Sequence, residues 1–362
     1  MRGVSSQAAR AAAAGERRAL ASWRGRAGGY RIHLVLLDST RPGNRPWDPG
    51  QLSMNADRAA HDRKAVAYLG ELEYGASAVS VPITNAAGLL QVSPGDGLAS
   101  LTRTPPGELL RGGPVRYYPS GRRTFLRLVQ DDVQAARALL DVPEIQRARR
   151  IAIVTDDGNY GEELGSTTGK LAVRRGHMVI GQGDFNGRPD AAVQFTQQVA
   201  KRRPDAVVYT GVVSPGTGAL LRALGRALPQ VPVVGSAGLS PNASQAPASP
   251  GPGLVVVSPF KPASAYPRAA RRILRALPAA DRRAEALYGY ESMRLVLDAL
   301  RSLASRGGRP TRAALVHTAL APRTRRGPIG SYRVEPRGDT SEARFAEYRA
   351  RRGRLLFERL VR

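Results

Sequence analysis

Short apolar runs that are hydrophobic on successive residues alternate with helix-like stretches for most of the chain, and this alternation limits the fold more than any other feature. The runs are 31–37, 65–70, 88–93, 150–155, 177–181, 205–210, 232–235 and 253–258. Between them lie helical patterns at 6–23, 51–63, 76–86, 132–140, 162–175, 191–202 and 216–228. A strand that is apolar on both faces must be covered on both faces, and helices arriving between successive strands do so by crossing over a parallel sheet. The pattern predicts an α/β protein built from doubly wound parallel sheets. At 362 residues the chain exceeds one core of ordinary size, so two domains are expected.

The rhythm breaks twice. Residues 104–123 are rich in Pro and Gly and include Tyr117 and Tyr118, and 240–253 contain Pro241, Pro247, Pro250 and Pro252. Beyond the second break the pattern is mainly helical, at 268–277, 281–305 and 311–319, before two β-like runs at 330–334 and 355–360. This order predicts a chain that passes from one lobe to the other, returns to complete the first, and ends in the second. The expected division is 1–128 and 262–326 for lobe 1, and 129–261 and 327–362 for lobe 2.

The formal charge of +26 raises the possibility of a polyanion partner. All but four of the 55 basic residues are Arg, the lysines being Lys64, Lys170, Lys201 and Lys261, amid abundant Ala, Gly and Pro. That is the compositional bias of a GC-rich genome, and the Arg residues are spread along the chain without a zinc-finger or helix-turn-helix pattern, so no specific nucleic acid is expected as partner. The absence of Cys excludes disulfides, thiolate catalysis and zinc–thiolate sites. Asp57 and His61 stand four apart on a helical pattern, but His33, His177 and His317 are isolated, and no metal is expected. The stretch 165–170, GSTTGK, has its glycines one residue too close for a phosphate loop and Leu171 where a hydroxyl is needed. With no G-x-S-x-G elbow either, no catalytic residue and no cofactor are assigned, and the chain is not expected to be an enzyme. Its apolar runs are far too short to span a membrane, and residues 1–26 carry Arg2, Arg10, Arg17 and Arg18 but no apolar core of an export signal. The sequence Asn242–Ser244 fits an N-glycosylation pattern only where that machinery exists.

Several blocks resemble, in order, the type I periplasmic-binding-protein family, specifically its branched-chain amino-acid group, the Leu/Ile/Val-binding-protein-like receptors of ABC transporters. AYLGELEYGASAVSVPITNAAGLLQVSPGDGLASLT, at 67–102, is similar to that family's strand, Gly loop, helix, turn, strand and "SP…LT" segment. RIAIVTDDGNYGEELGSTTGKLAVRRG, at 150–176, resembles the opening of its second lobe, with the "YG" pair at Tyr160 and Gly161. PDAVVYTG at 204–211, VPVVGSAG at 231–238, YGYESMRLVLDAL at 288–300 and GSYRVEPRGDT at 330–340 match later blocks. The resemblance implies two lobes joined by a multi-strand hinge, capture of a small-molecule solute by clam-shell closure, and delivery to an ABC transporter permease. It also implies an extracytoplasmic location, periplasmic or lipid-anchored at the cell surface. The first twenty residues resemble the family's first turn and helix, so a first strand and an export signal are expected ahead of them.

The resemblance further implies a ligand-binding set of Glu73, Tyr74, Ser77, Asp96, Gly97, Tyr160, Ser214 and Ser236. Several positions depart from the family pattern. Tyr74 stands where the family carries a Ser, Asp96 and Gly97 replace a hydroxyl-bearing pair, and Ala237 replaces the acid that holds an ammonium. Acids in the first lobe and hydroxyls in the second suit a polar neutral or cationic solute better than an anion. Ser77 and Ser214 have an alternative as helix caps, and Asp96 as part of a Pro-Gly-Asp-Gly turn. Two other function classes remain open at this level: a ligand-sensing regulatory domain of the same fold, and a basic polyanion-binding protein.

Overall fold

A computed structural model describes residues 6–40, 47–107, 113–240 and 253–361. The second Pro-rich break, with the Asn242–Ser244 pattern, lies outside the described residues. The chain opens with α1 (Gln7–Ser22), a two-strand ribbon of β1 (Arg26–Ala27) and β2 (Tyr30–Arg31), and α2 (Pro49–His61). There follow β3 (Ala67–Leu69), α3 (Ser77–Ala86), β4 (Leu90–Ser93), β5 (Phe125–Arg127), α4 (Asp132–Leu140) and α5 (Pro143–Arg147). Next come β6 (Arg150–Thr155), α6 (Asn159–Arg174), β7 (Met178–Asp184), α7 (Ala192–Lys201), β8 (Ala206–Tyr209), α8 (Thr217–Ala227), β9 (Val233–Gly235) and β10 (Leu254–Ser258). The chain ends with α9 (Arg268–Arg275), α10 (Ala284–Ala304), α11 (Arg312–Leu320), β11 (Thr324–Gly327), β12 (Gly330–Arg333), β13 (Phe345–Arg351) and β14 (Arg354–Val361).

These elements divide into two units. Unit 1 comprises Met1–Thr104, Glu108–Asp131 and Ala263–Glu342, and unit 2 comprises Pro105–Gly107, Asp132–Pro262 and Ala343–Arg362. The expected return to the second lobe at 327 falls instead after Glu342. The cause is side-chain anchoring of the last unit 1 segment: the Tyr332 hydroxyl donates to Glu291 on α10 at 2.8 Å. Asp339 accepts from Arg103 and from the fully buried Arg127, each at 3.0 Å. Cutting at 326 would strand these buried charges.

Unit 2 follows the predicted architecture closely. Its sheet runs β14-β13-β10-β9-β8-β6-β7, with β6 through β10 parallel and the β13–β14 hairpin antiparallel at one end. Every residue of β8 and β10 is buried, as the continuous apolar runs require. One sheet face packs Val207, Tyr209 and Val256 against Leu220, Leu221 and Leu224, which share a stripe of α8.

Unit 1 holds a three-stranded parallel sheet in the order β3-β4-β5. Beside it α1 and α10 cross at backbone distance. A Cβ added to Gly15 would lie 1.9 Å from the Ala286 carbonyl oxygen, and one added to Gly289 would lie 2.1 Å from that of Ala12. Ser6 caps α1 by accepting from the Ala9 amide at 3.0 Å, and Asp48 caps α2 by accepting from Gln51 at 2.7 Å. The expected strand at 31–37 is a correction: only Tyr30 and Arg31 are in a strand, paired with β1, and 32–37 carry no regular element. Among the described residues no strand lies alongside 32–37 to complete a ladder, and an isolated extended segment is not a sheet.

Candidate functional site

In both units, polar groups that no helix or strand consumes collect in the loops at the carboxyl ends of parallel strands, where amides and helix starts converge. In unit 1 these loops follow β3 and β4. The Asp96 carboxylate is fully buried and accepts three amides: Gly75 at 3.0 Å, Ser77 at 2.8 Å and Leu98 at 3.0 Å. The Ser93 hydroxyl accepts from the Asp96 amide at 2.9 Å and donates to the Glu71 carbonyl at 2.7 Å, tying the two loops together. Glu71 accepts the Tyr68 hydroxyl at 2.8 Å. Burial pushes its carboxyl up to about 7 against the pull of the Tyr68 and Ser80 hydroxyls, with Asp96 and Glu73 adding to the rise. Glu73 is raised as well, chiefly by burial, with the Ser6 hydroxyl opposing and Glu285 and Asp96 reinforcing.

In unit 2 the loops follow β6, β8 and β9. Asp156, the first residue past β6, accepts the Val212 amide at 2.8 Å and the Gly158 amide at 3.3 Å. Burial raises its carboxyl, and those amides and Asp156's own amide oppose the rise. Tyr209 donates to the Val212 carbonyl at 2.9 Å, and burial lifts its hydroxyl to about 12. Tyr160, in the first turn of α6, is half-buried. Burial raises its hydroxyl, while the Ser236 hydroxyl and the Gly238 backbone hold it through hydrogen bonds. Ser236 in turn donates to the Thr210 carbonyl at 3.0 Å. Gly238 packs so closely that an added Cβ would sit 2.3 Å from the Gly211 carbonyl oxygen.

The eight residues singled out from sequence thus fall into two groups, one in each unit. Glu73, Tyr74 and Gly97 are half-buried in the unit 1 loops, whereas Ser77 and Asp96 beside them are fully buried and bonded to backbone. Tyr160 and Ser236 meet in unit 2. Ser214 stands at the start of α8, where its amide donates to the Thr217 hydroxyl at 2.8 Å and its own hydroxyl bonds the same atom at 2.9 Å. Sequence reasoning missed Glu71 and Asp156. Both are acids within two residues of the end of an apolar strand run, a signal that the sequence does carry.

The family model described as "Periplasmic binding protein" matches residues 1–343. The chain belongs to the periplasmic binding protein family. Among curated proteins this member is 26% identical over 200 residues to an amino acid binding protein of Pseudomonas aeruginosa, a match covering 54% of this chain and 46% of that one. The chain therefore aligns with about half the length of that relative. Among solved structures, the leucine binding protein LivK of Thermotoga maritima has a TM-score of 0.75 at 19% identity, covering 99% of this chain and 95% of the other. An ABC transporter substrate-binding protein of Desulfitobacterium hafniense in complex with Leu has a TM-score of 0.73 at 19% identity, covering 96% and 95%. A solute binding protein of Rhodopseudomonas palustris in complex with p-hydroxybenzoic acid has a TM-score of 0.75 at 14% identity, covering 100% and 94%. These periplasmic-binding-protein relatives share the α/β fold. Among the described residues, no helix of this family member is long and apolar enough to cross a membrane.

Proposed function

We propose that this protein is the extracytoplasmic solute receptor of an ABC importer, binding a small polar solute, amino-acid-like or related, and handing it to the permease without catalysis. The observation that carries this reading is the unit 2 cluster, where Tyr160, held by Ser236 and Gly238, stands beside the buried Asp156 carboxylate at the carboxyl edge of the sheet. The Ser236 and Asp156 side chains are bonded to backbone amides and carbonyls, which is an arrangement for holding rather than for moving protons. Family membership and the solutes named for the structural relatives support the same class of ligand. In this reading Tyr160 touches the solute and Ser236 positions it. Ser77 and Asp96 keep the loop of Glu73 and Tyr74 in shape, and burial raises the Glu71 and Glu73 carboxyls toward their neutral form, which suits a polar neutral solute.

A thermal-shift panel of amino acids and aromatic acids tests the proposal. A solute at about 100 times its dissociation constant adds roughly 2.7 kcal/mol to the folded state. At least one compound should therefore raise the melting temperature by several degrees, and Tyr160→Phe should shrink that shift while keeping the ring in place. Silence across the panel, or a shift that survives intact in both Tyr160→Phe and Ser236→Ala, would remove the proposal.

A further inference from the structure

In unit 1, β11 and the residues just ahead of it bring arginines against α10, and the carboxylates there do not match them. The two elements are fastened together: Arg294 on α10 donates to the Arg326 carbonyl at 2.8 Å, and a Cβ added to Gly327 would lie 2.4 Å from Glu291 Oε2. Arg325 stands opposite Tyr332 in the β11–β12 ladder, so both side chains emerge on one face, the face whose Tyr332 hydroxyl bonds Glu291. Arg323 feels Asp298 of α10 and Arg325 most strongly among its charged neighbours, which places it beside them.

Both carboxylates of this face are already engaged. Glu291 accepts Nε and Nη2 of Arg294 at 2.9 and 3.2 Å and the Tyr332 hydroxyl at 2.8 Å. Asp298 accepts from Arg301 at 2.8 Å and lies 3.9 Å from Arg294. What is left over is positive. Arg325 is only 5% exposed, and its Nε and Nη2, together with Nη2 of the half-buried Arg323, are buried without a hydrogen-bond partner among the described residues. Burial lowers the Arg323 guanidinium from its ordinary range; Arg325 and the exposed Arg306 repel it further, and Asp298 opposes them. A buried donor without an acceptor forfeits its hydration, and neighbouring guanidiniums repel one another. One oxyanion relieves both costs, because its several oxygens accept from two planar forks at once. Exposure rises from Arg325 through Arg323 to Arg306, so the group has a side that faces water.

We propose that Arg323 and Arg325, with Arg306 on the outer side, bind a small tetrahedral oxyanion of the phosphate or sulfate class, held between the two guanidiniums. The proposal is independent of the solute reading, since none of its residues belongs to the unit 2 cluster.

Thermal unfolding and titration calorimetry of the full chain test it, with sodium phosphate, sodium sulfate and glycerol 3-phosphate compared against sodium chloride at matched ionic strength. An oxyanion should give a saturable rise in melting temperature that chloride does not give. Arg323→Gln should weaken the apparent Kd about tenfold or more, while Arg354→Gln, at an exposed position of β14, should leave it unchanged. Arg325→Met keeps an unbranched stem and removes the buried charge; it should raise the melting temperature in chloride and abolish the oxyanion response. Should Arg325→Met fail to fold, Arg323→Gln carries the test alone. A response to glycerol 3-phosphate as well as to phosphate assigns the ligand as the phosphoryl group of an ester, and a response to phosphate and sulfate alone assigns a free ion; either result bears the proposal out. It is overturned if the oxyanions act no differently from chloride, if the response survives intact in Arg323→Gln, or if Arg354→Gln diminishes it as much as Arg323→Gln does, which would mark diffuse screening of surface charge.

Discussion

Glu16 and Glu71 show how a single side chain can govern the behaviour of unit 1. Glu16 lies on the buried face of α1, and burial lifts its carboxyl to about 8 although Arg17 pulls it down; Glu71 is lifted to about 7. Each holds its proton in the folded state over a range where the unfolded chain, with a carboxyl near 4.5, has released it. The native state therefore binds more protons between pH 4.5 and 8, and stability falls as pH rises through that window. Urea unfolding should show this decline for the native sequence, and Glu16→Gln should flatten it and raise stability at pH 8 by about 1–4 kcal/mol. An identical slope in both proteins would show that Glu16 is not held neutral. Residues of this kind are hard to read from sequence. The helical pattern around Glu16 is legible, but Ala286 and Tyr290, which pack against the adjoining Gly15, lie far along the chain.

At the level of elements, β8 and β10 of unit 2 were legible because each is apolar on successive residues and wholly buried. The segments that were not legible depend on distant partners. β5 follows a Pro/Gly-rich stretch and gains its place through pairing with β4, and β13 carries Glu347 and two Arg residues whose ion pairs, such as Arg349 with Glu347 and Arg359 with Glu347, form only in the folded sheet. The run 33–37 has a strand's composition without, among the described residues, a strand's backbone hydrogen bonds. For the candidate site, Tyr160 and Ser236 stand in family-like blocks that the sequence shows, whereas their meeting rests on the folded loops, and Asp156, one residue past β6, carries no motif that marks it. The loop after β9 depends on contact at backbone distance. Gly238→Ala would drive a methyl into the Gly211 carbonyl and the Val212 Cα, and it should cost about 1–3 kcal/mol in chemical denaturation. A variant as stable as the native sequence would show that these loops are not packed as described.

For the molecule as a whole, the high positive charge turns out to be partly engaged in internal pairs. Arg103 and Arg127 hold Asp339, Arg294 holds Glu291, and Arg349 holds Glu144 and Glu347. In the proposed function it is instead the loops at the carboxyl ends of the strands that meet the solute. The most direct measurement is backbone amide NMR of the full chain during titration with the strongest stabiliser from the thermal-shift panel. The expected result is a saturable shift of amides at 156–160, 210–212 and 236–238, with smaller changes on α7 and the β13–β14 hairpin. Shifts confined to that hairpin, or to the exposed arginines, with the 156–160 and 236–238 amides unmoved, would contradict the account.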